Sequence, residues 1–173
     1  MYENLFSLEG RVALITGASR GIGRAVARGL AEAGADVVIT ARSEKDLELA
    51  ANEIRGAVKG RVEYYPVDMS NRADVDELAK TVRRDFGAVD VLINNAGANH
   101  PQTLLETTDT NWDAMIELNL TSQMRLTRAL APQMVARGWG RVIYTSSIMA
   151  FASNHARGIY SATKAGLVGM MRA

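Results

Sequence analysis

Residues 12–23 read VALITGASRGIG. A short apolar run, 12–16, ends in a segment rich in glycine, and a helix-forming stretch follows. An apolar run that stops at glycine suits a strand buried on both faces. Gly17 permits a tight turn, Gly21 lets backbone approach an anion, and Gly23 lets the next helix pack closely. The first N–H groups of that helix, with its positive dipole end, form a ready phosphate site. The spacing is G-xxx-G-x-G and no Gly-Lys-Ser/Thr follows, so nucleoside triphosphate hydrolysis is not expected. On these residues alone a plain glycine turn stands as the bland alternative.

Outward from this stretch, strand-like and helix-like segments alternate. Ile22, Ala25, Val26, Gly29, Leu30 and Ala33 recur at helical spacing, and Gly34 can stop the helix. Residues 36–40 (DVVIT) read as strand. Ser43 and Asp46 resemble a capping box ahead of the stripe Leu47, Ala50, Ala51, Ile54, Val58. Residues 62–67 read as strand, with Pro66 weakening its end. Ser70 is the expected cap of a helix that buries Val75, Leu78, Ala79, Val82 and Phe86 and closes at Gly87. Residues 89–94 and 141–146 are further strands. Between them 110–137 reads as one long helix kinked at Pro132, and a last helix starts near Tyr160. Such alternation with short connections predicts an α/β fold, a doubly wound parallel sheet with helices on both faces.

The 173 residues amount to one domain, 1–173, with 47% hydrophobic and 23% charged residues for a genuine core. A net charge of +1 gives no electrostatic reason to expect nucleic acid or an anionic membrane as partner. The absence of cysteine excludes disulfides and thiolate metal sites. MYENLFSLEG carries two acids and no long apolar stretch, so it does not read as a signal peptide. With no apolar run of membrane-spanning length, a cytoplasmic protein is expected.

In a parallel sheet of this kind, ligands bind beyond the carboxyl ends of the strands. The second strand leads into Thr40-Ala41-Arg42-Ser43. An acid here would hold a ribose 2′-hydroxyl, whereas arginine pairs with a 2′-phosphate. Arg42, with Arg20 from the glycine segment, therefore favours NADP(H) over NAD(H), against the bland reading of two solvated arginines. The third strand leads to Asp68 and the fourth into Asn94-Asn95-Ala96-Gly97, a polar turn that would suit a ligand or an ordinary loop. Ser146-Ser147 follow the fifth. Tyr160 and Lys164 are four apart and share a helix face. A lysine ammonium beside a phenol favours the phenolate, and such a phenol can act as general acid or base. Serine can donate a hydrogen bond to a carbonyl oxygen. An isolated Y-xxx-K is common by chance. His155 and Arg157 could meet an anionic substrate or carrier, although surface residues of this kind are mostly just solvated. Neither they nor His100 has a metal-ligand neighbourhood.

Taken in order, T-G-xxx-G-I-G at 16–23, Asp68, N-N-A-G at 94–97, Asn119, Ser147 and Y-xxx-K resemble the short-chain dehydrogenase/reductase family across essentially the whole chain. The resemblance implies a Rossmann-like fold and an oxidoreductase that interconverts a secondary alcohol and a ketone by hydride transfer. It implies that Tyr160 exchanges a proton with the substrate oxygen and that Lys164 assists it and holds the nicotinamide ribose. Ser147 would polarise the carbonyl, and Asn119 would support a water in a proton relay. Gly17, Ser19, Arg20, Gly21, Ile22 and Gly23 would wrap the cofactor phosphates, with Arg42 beside them. Asp68 would contact the adenine, and Asn94, Ala96 and Gly97 would line the adenosine and ribose side. It further implies a homo-oligomer, dimer or tetramer, through the 110–137 and 160–173 helices. Family members carry further strands and a lid after the Y-xxx-K helix, so the chain is expected to be C-terminally incomplete and weak in turnover. The rival reading is a non-catalytic NADP-binding or interaction module. The substrate is expected to be a small alcohol or carbonyl compound. LFSLEGRVALITG at 5–17 is similar to gluconate 5-dehydrogenases, and the whole to 3-oxoacyl-carrier-protein reductases.

Overall fold

The computed structural model describes residues 5–58 and 60–173; residues 1–4, part of the segment read above as no signal peptide, lie outside them. Strands β1 (Val12–Thr16), β2 (Asp36–Ala41), β3 (Val62–Pro66), β4 (Val91–Asn94) and β5 (Arg141–Tyr144) form one parallel sheet in the order β3-β2-β1-β4-β5. The apolar runs in β1, β2 and β4 follow from burial on both faces. Ala13, Ile15, Val37 and Ile39 face one core, under α1 (Gly21–Glu32) and α2 (Glu44–Arg55). Leu14, Val38 and Leu92 face the other, under α3 (Arg72–Phe86) and α5 (Ser122–Ala136). The doubly wound, Rossmann-like architecture is therefore as expected. From β3 the chain crosses back to β4 beside β1, which makes the carboxyl ends of β1 and β4 the switch point where such a fold forms its crevice.

The remaining elements are α4 (Asp109–Ile116), a π-helical turn (Glu117–Thr121), a 3-10 turn (Ile148–Ala150) and α6 (Gly158–Arg172). The amino ends of the strands are tied by Asp90, which is buried. It accepts from the Val12 N–H at 3.0 Å and pairs with Arg11 at 3.3 Å and Arg137 at 3.2 Å. Trp139 lies under Arg11 and Arg141, whose guanidinium carbons stand 3.9 and 4.9 Å from its ring centre.

Several sequence expectations need correction. The buried stripe of α1 is Gly23, Ala27 and Ala31, while Ile22 is 67% exposed. Small residues let the helix sit close to the sheet, and the larger apolar ones flank that contact. The cap of α3 is Asn71, whose side chain accepts from the Ala73 N–H at 2.9 Å; the Ser70 hydroxyl is engaged by Asp68 at 2.7 Å. The long helix is continuous from Asp109 to Ala136 with Pro132 inside α5, and it contains a π-helical turn at Glu117–Thr121 that was not expected from the sequence. Val58 lies beyond the end of α2 and packs on the core from the loop.

Candidate active site

At the carboxyl ends of β1, β2 and β4 the crevice opens into a cleft of about 570 Å³, within the range of small-molecule sites. Its wall is built from the loop after each strand. In the first loop Gly17 has φ +65°, and a Cβ there would lie 2.9 Å from the Ala96 Cα. Gly23 packs onto the same loop: a Cβ would meet the Gly17 carbonyl and lie 2.6 Å from Asn95 Nδ2. The two glycines let the first and fourth loops touch backbone to backbone. Thr16, fully buried, locks them. Its hydroxyl accepts from the N–H groups of Asn95 and Ala96, both at 3.0 Å. Asn95 Nδ2 donates back to the carbonyls of Thr16 at 3.0 Å and Gly17 at 3.1 Å, and its Oδ1 accepts from the Thr145 hydroxyl at 3.2 Å. One asparagine thus stitches together the ends of β1, β4 and β5.

Gly17, Ser19, Arg20, Arg42, Asp68, Ala96 and Gly97, all expected from the sequence, line this cleft. Arg20 is the extended residue before α1, and Arg42 ends the β2 loop. Both are exposed, and among the described residues neither has an ion-pair partner. Hydrogen bonds from Ser70 hold the Asp68 carboxyl below the usual carboxylate range. Partial burial opposes this, and the Arg42 charge assists it. Gly21, Ile22 and Gly23 form the first turn of α1 beside the cleft and do not line it. Asn94 is placed differently from expectation. It is fully buried, and its amide donates to Thr127 at 3.1 Å on the α5 side of the sheet. Strand alternation turns Asn94 inward and leaves Asn95 as the asparagine on the cleft.

Of the proton-transfer candidates, Asn119 and Lys164 stand behind Gly97 at the inner wall. Asn119 is fully buried in the π-helical turn. Its Oδ1 accepts from the Ala98 N–H at 2.9 Å, and its Nδ2 donates to the Ala98 carbonyl at 2.8 Å and to Thr163 at 3.3 Å. Tyr160 is half-buried in the first turn of α6. Lys164, one turn on, is 3% exposed; its Nζ donates to the Thr145 carbonyl at 2.6 Å and stands 5.5 Å from the Tyr160 ring centre. Burial pushes the Lys164 ammonium below its ordinary range. A Cβ on Gly97 would lie 3.1 Å from Asn119 Oδ1 and 3.6 Å from Lys164 Nζ, so the cleft and these two residues meet at Gly97. Ser147 precedes the 3-10 turn and caps it, its hydroxyl accepting from the Met149 N–H at 3.2 Å.

Thr16, Asn95, Gln123 and Thr163 carry the site's internal hydrogen bonds; Thr16 and Asn95 stood in the sequence motifs without a role, and Gln123 and Thr163 were not singled out. Gln123 had a signal there, since it falls on the stripe of Leu126, Leu130 and Met134. The donor set fits a dinucleotide. Two guanidinium groups without an ion-pair partner among the described residues and a helix N-terminus stand at one cleft, with a buried ammonium at its inner wall.

The profile of the short chain dehydrogenase family matches residues 11–173. The 3-oxoacyl-[acyl-carrier-protein] reductase FabG of Escherichia coli (strain K12) is 37% identical over 166 residues, 96% of this chain and 66% of the relative. The 2-dehydro-3-deoxy-D-gluconate 5-dehydrogenase of Pseudoalteromonas atlantica is 41% identical over 169 residues, 96% of this chain and 65% of that one. The crystal structure of a metagenomic short-chain oxidoreductase in complex with NADP superposes with a TM-score of 0.91 at 40% identity, covering 95% of this chain and 75% of that one. The chain spans about two thirds of the length of the curated relatives it matches. Among the described residues no helix is long and apolar enough to cross a membrane. On these matches and this fold, the chain belongs to the short-chain dehydrogenase family.

Proposed function

We propose that residues 1–173 work as one dinucleotide-binding unit of an NADP-preferring oxidoreductase that interconverts a secondary alcohol and a ketone. The observation that carries this is the meeting of Asn119 and Lys164 at Gly97, on the wall of a cleft that also presents Arg20 and Arg42. The NADP complex among the structural relatives supports the cofactor half of the proposal. Arg20 and Arg42 would hold the 2′-phosphate, the first turn of α1 the pyrophosphate, Asp68 the adenine, and Lys164 the nicotinamide ribose. When bound, the cofactor supplies or accepts the hydride at the substrate carbon.

The chain's own residues move the proton. In reduction Tyr160 gives its phenolic proton to the substrate oxygen, and in oxidation it takes the proton back. The Ser147 hydroxyl donates to the same oxygen as charge develops there. Lys164 uses one of its three donors on Thr145, which leaves two for the ribose and for a water. Asn119 holds the wall behind Lys164 and one end of that water relay. The substrate is a small alcohol or carbonyl compound. Assembly of copies through the 110–137 and 160–173 helices and a cytoplasmic location belong to the same proposal. Trp112, Val135 and Met171 leave apolar surface on those helices.

The test is a titration of the 173-residue chain with NADPH and NADH, read by nicotinamide fluorescence, followed by a screen of carbonyl substrates. NADPH should bind more tightly. Tyr160→Phe should lower any turnover by roughly 100-fold or more and leave the NADPH affinity unchanged. Binding of neither cofactor overturns the reading. Binding without turnover by the parent chain supports the rival, a non-catalytic NADP-binding module.

A further inference from the structure

Gln123 is fully buried on the stripe of α5 that otherwise presents Leu126, Leu130 and Met134 to the sheet. Its Nε2 donates to the Ala96 carbonyl at 3.0 Å, and its Oε1 has no partner among the described residues. Packing does not explain this residue. Leucine would fill the stripe without an unpaired amide oxygen, at the loss of the one donor to the Ala96 carbonyl among the described residues. What the glutamine adds is its bond to the loop after β4.

In the turn 95–98 three of the four N–H groups are engaged. Those of Asn95 and Ala96 go to Thr16 Oγ1, and that of Ala98 goes to Asn119 Oδ1. The Gly97 N–H has no acceptor among the described residues. The Ala96–Gly97 peptide is trans, so its C=O and N–H point in opposite directions. A carbonyl held toward α5 turns the Gly97 N–H away from α5, and Gly97 itself lines the cleft.

We propose that Gln123 is a positioning residue: by holding the Ala96 carbonyl it aims the free Gly97 N–H at an oxygen of the bound dinucleotide. The identity of that ligand rests on the function proposed above, whereas the orientation of the peptide does not. Gln123 touches neither cofactor nor substrate in this role, and acts only through the loop.

Gln123→Leu, and Gln123→Met as a closer match in shape, separate this from a packing role. Three measurements on the 173-residue chain decide it: thermal unfolding, the NADPH dissociation constant, and the Gly97 amide resonance without cofactor. The orphan Oε1 and the bond to the Ala96 carbonyl go together and their effects on stability offset, so the expected result is an unfolding temperature close to the parent's, a shifted or broadened Gly97 resonance, and NADPH binding weaker by roughly tenfold. A merely structural glutamine would move stability and binding down together, and that outcome overturns the proposal. An unchanged Gly97 resonance, or unchanged NADPH affinity in both variants, overturns it as well. If the parent chain binds no NADPH, the reading of the cleft fails, and the positioning of the Gly97 N–H is decided by the resonance alone.

Discussion

Lys164 carries a charge at 3% exposure with one backbone carbonyl at 2.6 Å as its hydrogen-bond partner. Such a residue costs the fold stability. Because burial lowers its folded-state pKa, the cost is fully present below that lowered value and is relieved as the pH rises toward the ordinary 10.5. Lys164→Met should therefore raise the unfolding temperature near neutral pH, by roughly 3 °C per kcal/mol recovered. The gain over the parent should shrink in melts run at increasing alkalinity, and NADPH binding should be lost. A gain that does not change with pH would mean that the methionine stabilises by packing and not by removing the charge. Arg42 presents the opposite case, a charge that costs the exposed loop little and waits for a partner. Arg42→Ala should weaken NADPH by roughly tenfold and leave NADH unchanged, since only one of the two carries a phosphate for the guanidinium to pair with. Equal weakening of both cofactors would assign Arg42 to the loop's structure.

Elements are held in register by contacts that local patterns report unevenly. The apolar runs of β1, β2 and β4 are plain in the sequence because both faces are covered, and the stripes of α2 and α3 are plain because one face is. Where small residues make the contact, as in Gly23, Ala27 and Ala31 of α1, hydrophobicity points to the flank of the buried face, where Val26 and Leu30 pack, and not to its centre. The inward turn of Asn94 and the π-helical turn around Asn119 depend on partners distant in sequence, Thr127 in one case and Ala98 and Thr163 in the other. Motif order brought Asn119, Tyr160 and Lys164 into view, but only packing shows that Asn119 and Lys164 meet at Gly97. The tie between β3 and α3 is another such contact. The Tyr65 hydroxyl donates to Asp85 Oδ2 at 2.7 Å. Partial burial, followed by the hydrogen bond and charge of Asp85, pushes the Tyr65 phenol up to about 12. A raised pKa means that this tie contributes fully below the ordinary value of 10 and is lost as the pH rises through about 12. Tyrosinate absorbance should show one phenol titrating near pH 12 that is missing from Tyr65→Phe. The variant should also lose less stability than the parent across that window. Identical alkaline melts would show that the tie contributes nothing to the fold.

Across the whole molecule the two edges of the sheet are unlike. The β3 edge is blunted. It ends at Pro66, and Glu63 pairs with Arg55 at 3.6 Å and Arg61 at 3.4 Å, so charge and a missing donor discourage another strand. The β5 edge has no comparable guard in its middle. Among the described residues no strand pairs with its outer side, Ile143 is 50% exposed, and an apolar groove of about 250 Å³ runs between it and α6, lined by Val142, Leu167, Val168 and Met171. An open strand edge beside an apolar groove favours self-association, through a surface that shares Met171 with the 160–173 helix proposed for assembly. The 173-residue chain should therefore associate as its concentration rises. Ile143→Lys should suppress this, because a charge on the strand repels a second edge while its stem still covers the groove. The substitution leaves the loops after β1, β2 and β4 untouched, so NADPH binding should not change. Sedimentation of parent and variant over a concentration series decides between the two routes. If Ile143→Lys associates as strongly as the parent, the edge is not the contact, and the faces of the 110–137 and 160–173 helices must carry it.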